Sequence, residues 1–301
     1  MLSEDLREEL AAIAPERDCD RLAELSGLFH VAGSAHLRGR GDVAVHLDLV
    51  SSGVARRAFA LLRAFAVDSE IRTYRRPSFD RATRYQLHIA PSQRAYETLH
   101  RAGVLDAAHR PLDHPPRRVV SRRCCLGAYL RGALLGAGTL SGPRDAHLEI
   151  RAAEPEGAAF LAELAARAGA QLSVQERGTH SVAYAKGVDA IGDVLLAAGS
   201  TDVVLALEEQ SVLAAIRADA NRLANADHAN LVRTSRAAHA QIEAVRKLDL
   251  DALPDELREI ALLRLRHPTA SILDIGKRCK PPATKATAYR RLRRLQELSE
   301  P

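Results

Sequence analysis

Hydrophobic positions in the first third of the chain switch between helical spacing and alternation. Helical spacing predicts helices over residues 3–14, 20–35, 53–66 and 94–106. Between them, "DVAVHLDLVS" (42–51) alternates apolar and polar residues as a half-buried strand does. "EIRTYRRP" and "RYQLHIAP" then read as the two strands of a hairpin. After the first short helix, the predicted order is therefore helix, strand, helix, two strands, helix.

The same order of elements recurs after the Pro- and Arg-rich bridge "HRPLDHPPRRVVSRR". Matching positions carry similar residues, at a spacing that drifts only from 105 to 96 residues. The matched sets are Gly33 and Gly138, His46–Leu47–Asp48 and His147–Leu148–Glu149, Phe59 and Phe160, and Ala102–Gly103 and Ala198–Gly199. Such self-similarity predicts an internal duplication.

Each repeat opens with a helix that contains interior glycines, although each of them costs a helix about 1 kcal/mol relative to alanine. "LRGALLGAGTL" (130–140) contains Gly132, Gly136 and Gly138, and "LSGLFHVAGSA" (25–35) has nearly the same pattern. Small residues on one face let helix axes approach more closely than the usual separation of about 8–10 Å. We therefore predict that these two helices pack against each other across a pseudo-twofold axis.

The stretch from Leu205 to Leu248 contains neither glycine nor proline and predicts one long helix or two abutting ones. Asn221, Asn225 and Asn230 lie within it. Asparagine is a poor helix former, so we expect these three side chains to make buried capping or hinge hydrogen bonds.

The last segment predicts three short helices separated by tight turns, which is the pattern of a helix-turn-helix. Ser271, with Asp274 three residues on, and Thr284 are predicted to cap the second and third helices. In this motif the final helix lies in the major groove, where its N-terminal residues read base edges. A basic three-helix module that does not bind DNA is the alternative. The residues predicted to face base edges are Lys285, Ala286, Thr287 and Arg290. Those predicted to contact the DNA backbone are Arg278, Arg291, Arg293 and Arg294, and Lys277 completes the predicted DNA-binding set.

The charge distribution favours DNA binding by this segment. Residues 254–301 contain 11 Lys or Arg and 6 Asp or Glu, whereas the remainder contains 32 of each, so the net charge of +5 lies entirely in the tail. The four cysteines form no CxxC pair, and we expect reduced thiols, no zinc or other metal and no cofactor. Neither a signal peptide nor an apolar run of membrane-spanning length occurs, which predicts a cytoplasmic protein without a membrane partner.

These patterns predict an α+β fold. A duplicated domain with a central helix pair and antiparallel sheets is joined, by one or more long helices, to an all-α helix-turn-helix domain. The predicted boundaries are 1–115 for the first repeat, 116–207 for the second, 208–250 for the helical linker and 251–301 for the helix-turn-helix domain.

The paired glycine-containing helices resemble the LAGLIDADG homing endonuclease fold. In that fold each helix ends in an acidic metal ligand just before its last glycine. The matching positions here are Ala32 and Ala137, and His30 and Leu135 occupy the other acidic position of the motif. Because Mg²⁺-dependent cleavage requires carboxylates at this seam, the resemblance implies the fold without the nuclease chemistry.

Together with "NRLANADHAN" and the tail "LPDELREIALLRLRHPTASILDIG", the chain is similar over nearly its whole length to the WhiA family. The resemblance implies a bacterial, sequence-specific DNA-binding transcription regulator, associated with the nucleoid and bound to double-stranded promoter DNA. It implies roles in cell division, chromosome segregation and, in sporulating bacteria, sporulation. It also implies a tail similar to region 4 of sigma factors and cooperation with a WhiB-like iron–sulfur protein.

Two alternatives stay open. The first is an active, Mg²⁺-dependent LAGLIDADG-type endonuclease that uses other carboxylates, for which the candidates are Asp20, Glu24, Asp48 and Glu149. Asp20 and Glu24 share one helix face, which we expect to be a solvated face instead. The second alternative treats the body as a protein- or small-molecule-binding module. Its Arg-rich hairpin, Arg72–Tyr85, offers Tyr74, Phe79 and Tyr85 for stacking.

Overall fold

The structure, a computed structural model, describes residues 2–38, 42–75, 83–142 and 145–300. The chain divides into two compact units, Met1–Ala215 and Ile216–Pro301. No helix within the described residues combines the length and the apolar character that crossing a membrane requires.

The first repeat lies in the first unit and contains the predicted elements in order, with one strand more. The helix predicted over 20–35 ends at Ala32, because the backbone becomes extended at Gly33 and continues as a strand over Gly33–Arg38. Its second helix leads into a four-stranded antiparallel sheet with strand order β1-β2-β4-β3. The elements are α1 (Leu2–Ala12), α2 (Asp18–Ala32), β1 (Gly33–Arg38), β2 (Asp42–Leu49), α3 (Ser52–Ala64), β3 (Ser69–Arg75), β4 (Thr83–Ile89) and α4 (Gln93–Arg101).

The second repeat reproduces this arrangement, which confirms the predicted duplication and the α+β fold. Its sheet has the equivalent order, β5-β6-β8-β7. After a 3₁₀ turn at Arg117–Val120, the elements are α5 (Arg123–Ala137), β5 (Gly138–Ser141), β6 (His147–Ala152), α6 (Pro155–Ala168), β7 (Ser173–Arg177), β8 (His180–Lys186) and α7 (Val188–Ala198).

Helices α2 and α5 form the centre of the first unit, and glycine sets how closely they approach. A Cβ added at Gly27 would lie 2.2 Å from the carbonyl oxygen of Tyr129, and one added at Gly132 would lie 2.1 Å from that of Glu24. The two contacts are equivalent under the repeat, because Gly27 and Gly132, like Glu24 and Tyr129, are 105 residues apart. The predicted pseudo-twofold helix pair is therefore confirmed at its backbone contacts.

Helix α8 (Asp202–Arg246) is continuous, and the boundary between the two units falls within it. The Glu9 carboxylate of α1 caps its start: it accepts hydrogen bonds from the backbone N–H groups of Thr201, Asp202 and Val203 at 2.6–3.0 Å. These are donors that the first turn of a helix otherwise leaves unsatisfied.

The expectation for the asparagines of α8 is wrong. Asn221, Asn225 and Asn230 are all exposed, and the Asn230 side chain accepts a hydrogen bond from Arg233 on the same helix. These asparagines need no buried hydrogen bonds, because each weak helix former costs an exposed helix only about 0.5 kcal/mol of stability relative to alanine.

The second unit contains the end of α8, a 3₁₀ turn at Leu250–Ala252, and three helices. These are α9 (Asp255–Arg266), α10 (Ile272–Lys277) and α11 (Lys285–Ser299). Both predicted caps are confirmed: the Ser271 hydroxyl accepts from the Asp274 N–H at 3.1 Å, and the Thr284 hydroxyl accepts from the Thr287 N–H at 3.2 Å. The inner face of α11 is buried against α9 and α10 and consists of Ala288, Leu292 and Leu295.

Candidate nucleic-acid interface

The N-terminal turn of α11 presents the predicted base-facing residues. Lys285, Ala286 and Arg290 are exposed, whereas Thr287 is half-buried, with its hydroxyl 3.0 Å from that of Thr284. The hydroxyl contact holds Thr287 against the cap of the helix. The exposed face of this turn therefore offers two cations and a small side chain that permits close approach.

The remaining cations flank this turn on the same unit. Lys277 and Arg278 are exposed at the end of α10. Arg293 and Arg294 are exposed on α11 and both pair with Glu297, at 3.4 Å and 3.2 Å. Exposed pairs of this kind contribute at most about 1 kcal/mol, so these guanidinium groups remain accessible to an anionic ligand.

Arg291 differs from its neighbours on α11. Its side chain is only 19% exposed and forms an ion pair with Glu256 of α9. Arg264 of α9 is buried and donates to the Ala270 carbonyl oxygen at 2.7 Å. Arg291 was predicted to contact DNA and Arg264 was given no role, because helical spacing alone does not reveal which arginine meets a carboxylate or carbonyl inside the module. Tyr289, which is half-exposed on α11, was not predicted either.

A second candidate site is a cleft of about 780 Å³ in the first unit, where α2 and α5 end. Ala32 and Ala137 are the last residues of the two helices and both line the cleft. Their methyl groups stand where the LAGLIDADG resemblance would place metal ligands. Three arginines line the same cleft: Arg7, Arg84 and Arg151.

Two carboxylates of the cleft lie at equivalent positions of the repeats, and each is bound within its own sheet. Asp48 accepts hydrogen bonds from Tyr74 and Gln86, both at 3.0 Å. Glu149 is 2.6 Å from Nε2 of His147 and pairs with Arg177. Partial burial would raise the pKa of Glu149, but these hydrogen bonds outweigh it and hold the pKa below its ordinary value.

This set of donors does not fit a pair of catalytic Mg²⁺ ions. Mg²⁺ requires oxygen ligands that converge in near-octahedral geometry, and the two helix ends offer methyl groups instead. The two remaining carboxylates of the cleft already accept hydrogen bonds or ion pairs from their own sheets. We therefore derive no cleavage step for this cleft.

Glu24 was expected on a solvated helix face, and this prediction is wrong. The structure buries its side chain fully. Its carboxylate accepts from Nε of Arg57 at 2.6 Å and from Nε of Arg131 at 2.8 Å. Arg57 lies on α3 and Arg131 on α5, so the carboxylate joins three helices of both repeats. Glu24 is thus a structural residue and is not available for metal binding.

Asp20, the other acid expected on that face, is half-buried at the start of α2, beside the thiol of Cys19. In the Arg-rich hairpin, Tyr85 packs against the core and the Tyr74 hydroxyl donates to Asp48. Phe79 and the rest of residues 76–82 lie outside the described residues.

His30 occupies the motif position that is acidic in the LAGLIDADG helix, and its ring packs inside the first unit. Nδ1 donates to the Ser26 carbonyl oxygen at 2.8 Å, and among the described residues Nε2 has no hydrogen-bond partner. Burial lowers the pKa of His30 from 6.5 to about 4. A proton added to the ring would carry charge into a poorly solvated site, and this cost outweighs the favourable contacts with Ser26, Leu112 and Asp113.

Below pH 6.5 the unfolded chain therefore binds a proton at His30 that the folded chain does not bind until about pH 4. Stability is expected to fall with decreasing pH across this window, by about 1.4 kcal/mol per pH unit at most. In His30→Asn, the amide can replace the Nδ1 donor but does not titrate. The loss of stability between pH 7 and pH 5 should then be about 2 kcal/mol smaller than in the unmodified chain, measured by urea unfolding. Equal pH dependence of the two proteins would contradict the burial of His30.

Comparison with known proteins gives matches along almost the whole chain. The family model described as the WhiA N-terminal LAGLIDADG-like domain matches residues 18–105. The WhiA LAGLIDADG-like domain matches residues 126–217, and the WhiA C-terminal HTH domain matches residues 220–299.

Curated relatives are similar over their full lengths. A protein of Heliobacterium modesticaldum named "Probable cell division protein WhiA" is 34% identical, over 99% of this chain and 95% of the relative. A protein of the same name from Acidothermus cellulolyticus is 36% identical over 99% of this chain and 93% of the relative. Among solved structures, the full-length DUF199/WhiA of Thermatoga maritima has a TM-score of 0.57 at 24% identity, over 99% of this chain and 97% of that one, which supports the fold.

Proposed function

Because this chain belongs to the WhiA family, we propose that it is a sequence-specific DNA-binding regulator of transcription. Its targets are promoters of genes for cell division and chromosome segregation and, in a sporulating host, for sporulation. The exposed, capped and basic N-terminal turn of α11 is the observation that carries this proposal. Such a turn, presented by a helix-turn-helix, is the element that enters a major groove.

Within this proposal, the residues divide by the part of DNA that they contact. Lys285, Ala286, Thr287 and Arg290 face base edges, where a guanidinium recognises guanine by two hydrogen bonds. Four exposed cations neutralise phosphates and orient the module: Lys277, Arg278, Arg293 and Arg294. Arg291 is left out of this set because it pairs with Glu256.

The protein would act in the cytoplasm on nucleoid DNA. A WhiB-like iron–sulfur protein is the proposed partner at promoters. Both statements rest on family membership. Arginines line the cleft of the first unit, but we assign DNA recognition to the second unit, because that unit carries the excess positive charge.

Replacing Arg290 with alanine is expected to weaken specific DNA binding by about 1–3 kcal/mol, or roughly 5–150-fold. Replacing Arg293 should weaken binding to all sequences and reduce the slope of log affinity against log salt by about 0.9. The measurement is fluorescence anisotropy of the full chain on duplexes that the full chain selects from a random-sequence pool. Arg246→Ala, an exposed arginine of α8 outside the motif, is the matched control.

Equal affinity for selected and scrambled duplexes would contradict sequence-specific binding. Unchanged affinity in both Arg290→Ala and Arg293→Ala would contradict the proposed role of α11. The endonuclease alternative is tested by incubating the chain with supercoiled plasmid and Mg²⁺. We expect no cleavage; cleavage that EDTA abolishes would favour the alternative.

A further inference from the structure

Three of the four cysteines meet where the two central helices begin. Cys19 and Asp20 lie in the first turn of α2, and Cys124 and Cys125 lie in the first turn of α5. One ligand atom from each of these four residues lies within 4.8 Å of every other. Sequence spacing gave no sign of this cluster, because its two halves come from different repeats.

Two distances within the cluster match those of a tetrahedral zinc site, and the remaining ligand atoms lie within 4.8 Å of one another. Zinc–sulfur bonds of about 2.3 Å place two sulfur ligands about 3.8 Å apart at tetrahedral angles, and a sulfur and a carboxylate oxygen about 3.5 Å apart. The Sγ atoms of Cys124 and Cys125 are 3.9 Å apart. Sγ of Cys19 and Oδ1 of Asp20 are 3.5 Å apart. Adjacent cysteines therefore converge on one point here, although their positions on a regular helix would separate them by about 100°.

The chemistry of the donors selects the metal. Thiolates bind soft or borderline ions such as Zn²⁺ and bind Mg²⁺ and Ca²⁺ poorly. Four protein ligands and no open position are typical of a structural zinc site. Cys125 is buried and the other three residues are half-buried, so the cluster lies at the edge of the core, within reach of ions and small reagents.

The surroundings offset the negative charge that such a site would carry. Three thiolates and one carboxylate around Zn²⁺ have a net charge of −2. The positive ends of two helix dipoles meet at the cluster, since all four ligands lie in first turns. Arg17, Arg122 and Arg123 flank the ligands along the chain.

We propose that Cys19, Asp20, Cys124 and Cys125 bind one Zn²⁺ ion, which links the first turns of α2 and α5. Each thiol that binds the metal gives up its proton to the solvent. The ion would hold the two repeats together at one end of the helix pair, whereas Gly27 and Gly132 set the backbone contact along its length. The site is separate from the cleft at the other end of these helices.

The test uses the full chain, stripped of metal by a chelator and kept reduced, and titrated with Co²⁺ as a spectroscopic substitute. We expect one equivalent of Co²⁺ to produce thiolate-to-cobalt charge-transfer absorption and the visible bands of a tetrahedral ion, and Zn²⁺ to displace it. Cys19→Ser and Cys124→Ser should each weaken binding by more than about tenfold. Cys279→Ser removes the one cysteine outside the cluster and should leave the spectrum unchanged.

A second measurement does not depend on the folding of variants. In the unmodified chain, Zn²⁺ should slow the alkylation of Cys19 and Cys124 and leave the rate for Cys279 unchanged. Absence of thiolate absorption at stoichiometric Co²⁺ would overturn the proposal. So would absorption that survives in both serine variants.

Discussion

Replacing Glu24 with leucine is expected to destabilise the first unit by about 3–5 kcal/mol. The substitution leaves Arg57 and Arg131, which are 9% and 8% exposed, without their shared carboxylate. Arg131 would retain its bond to the Ala198 carbonyl oxygen at 3.1 Å, which compensates only part of the loss. Two buried guanidinium groups would then repel each other in a poorly solvated site.

Urea unfolding followed by circular dichroism measures this effect. Glu163→Leu, an exposed glutamate of α6, is the control and should change stability by less than about 0.5 kcal/mol. A triple variant that also replaces Arg57 and Arg131 with methionine separates two explanations. If buried unpaired charge causes the loss, the triple variant should recover most of it. A loss below about 1 kcal/mol in Glu24→Leu would mean that water reaches both arginines.

Gly132→Ala is expected to destabilise the first unit by about 3 kcal/mol, although alanine is the better helix former by about 1 kcal/mol. The added Cβ would lie 2.1 Å from the Glu24 carbonyl oxygen and 3.0 Å from the Leu28 nitrogen. Both are backbone atoms of α2, so no side-chain rotation relieves the contact. The helices must separate, and the packing of their buried faces is lost along the seam.

Gly192→Ala is the matched control for this prediction. Gly192 is also a buried glycine within a helix, α7, but a Cβ there would meet only Val204, at 3.7 Å. This change should be neutral or stabilising by up to about 1 kcal/mol. Thermal unfolding should therefore show a clear fall in Tm for Gly132→Ala and an unchanged or higher Tm for Gly192→Ala. A stabilised Gly132→Ala would contradict the close approach of α2 and α5.

The sequence predicted those features that depend on residues close to one another along the chain or on the internal repeat. Thr284 was identified as a cap because a hydroxyl before a helix satisfies its own neighbouring N–H groups. The helix pair was predicted from Gly132 and its repeat counterpart Gly27, because the two copies of a duplicated sequence are expected to pack in equivalent ways.

Contacts between distant segments escaped prediction. The partners of Glu24 lie 33 and 107 residues away, so its helix position gave no sign of burial. The pairing of Arg291 with Glu256 likewise depends on how α11 crosses α9. The cysteine cluster could not be predicted because Cys19 belongs to the first repeat and Cys124 and Cys125 belong to the second, so it forms only when the two repeats pack together.

The pair formed by Glu24 and Arg131 also determines which halves can pack against each other. At the 105-residue repeat spacing, the counterpart of Glu24 is Tyr129 and the counterpart of Arg131 is Ser26. A symmetric dimer of second repeats would leave Arg131 without a carboxylate, and a dimer of first repeats would leave Glu24 with Arg57 alone. Each half therefore supplies a charged group that the other half neutralises, so neither half would pair with a copy of itself as well as it pairs with the other.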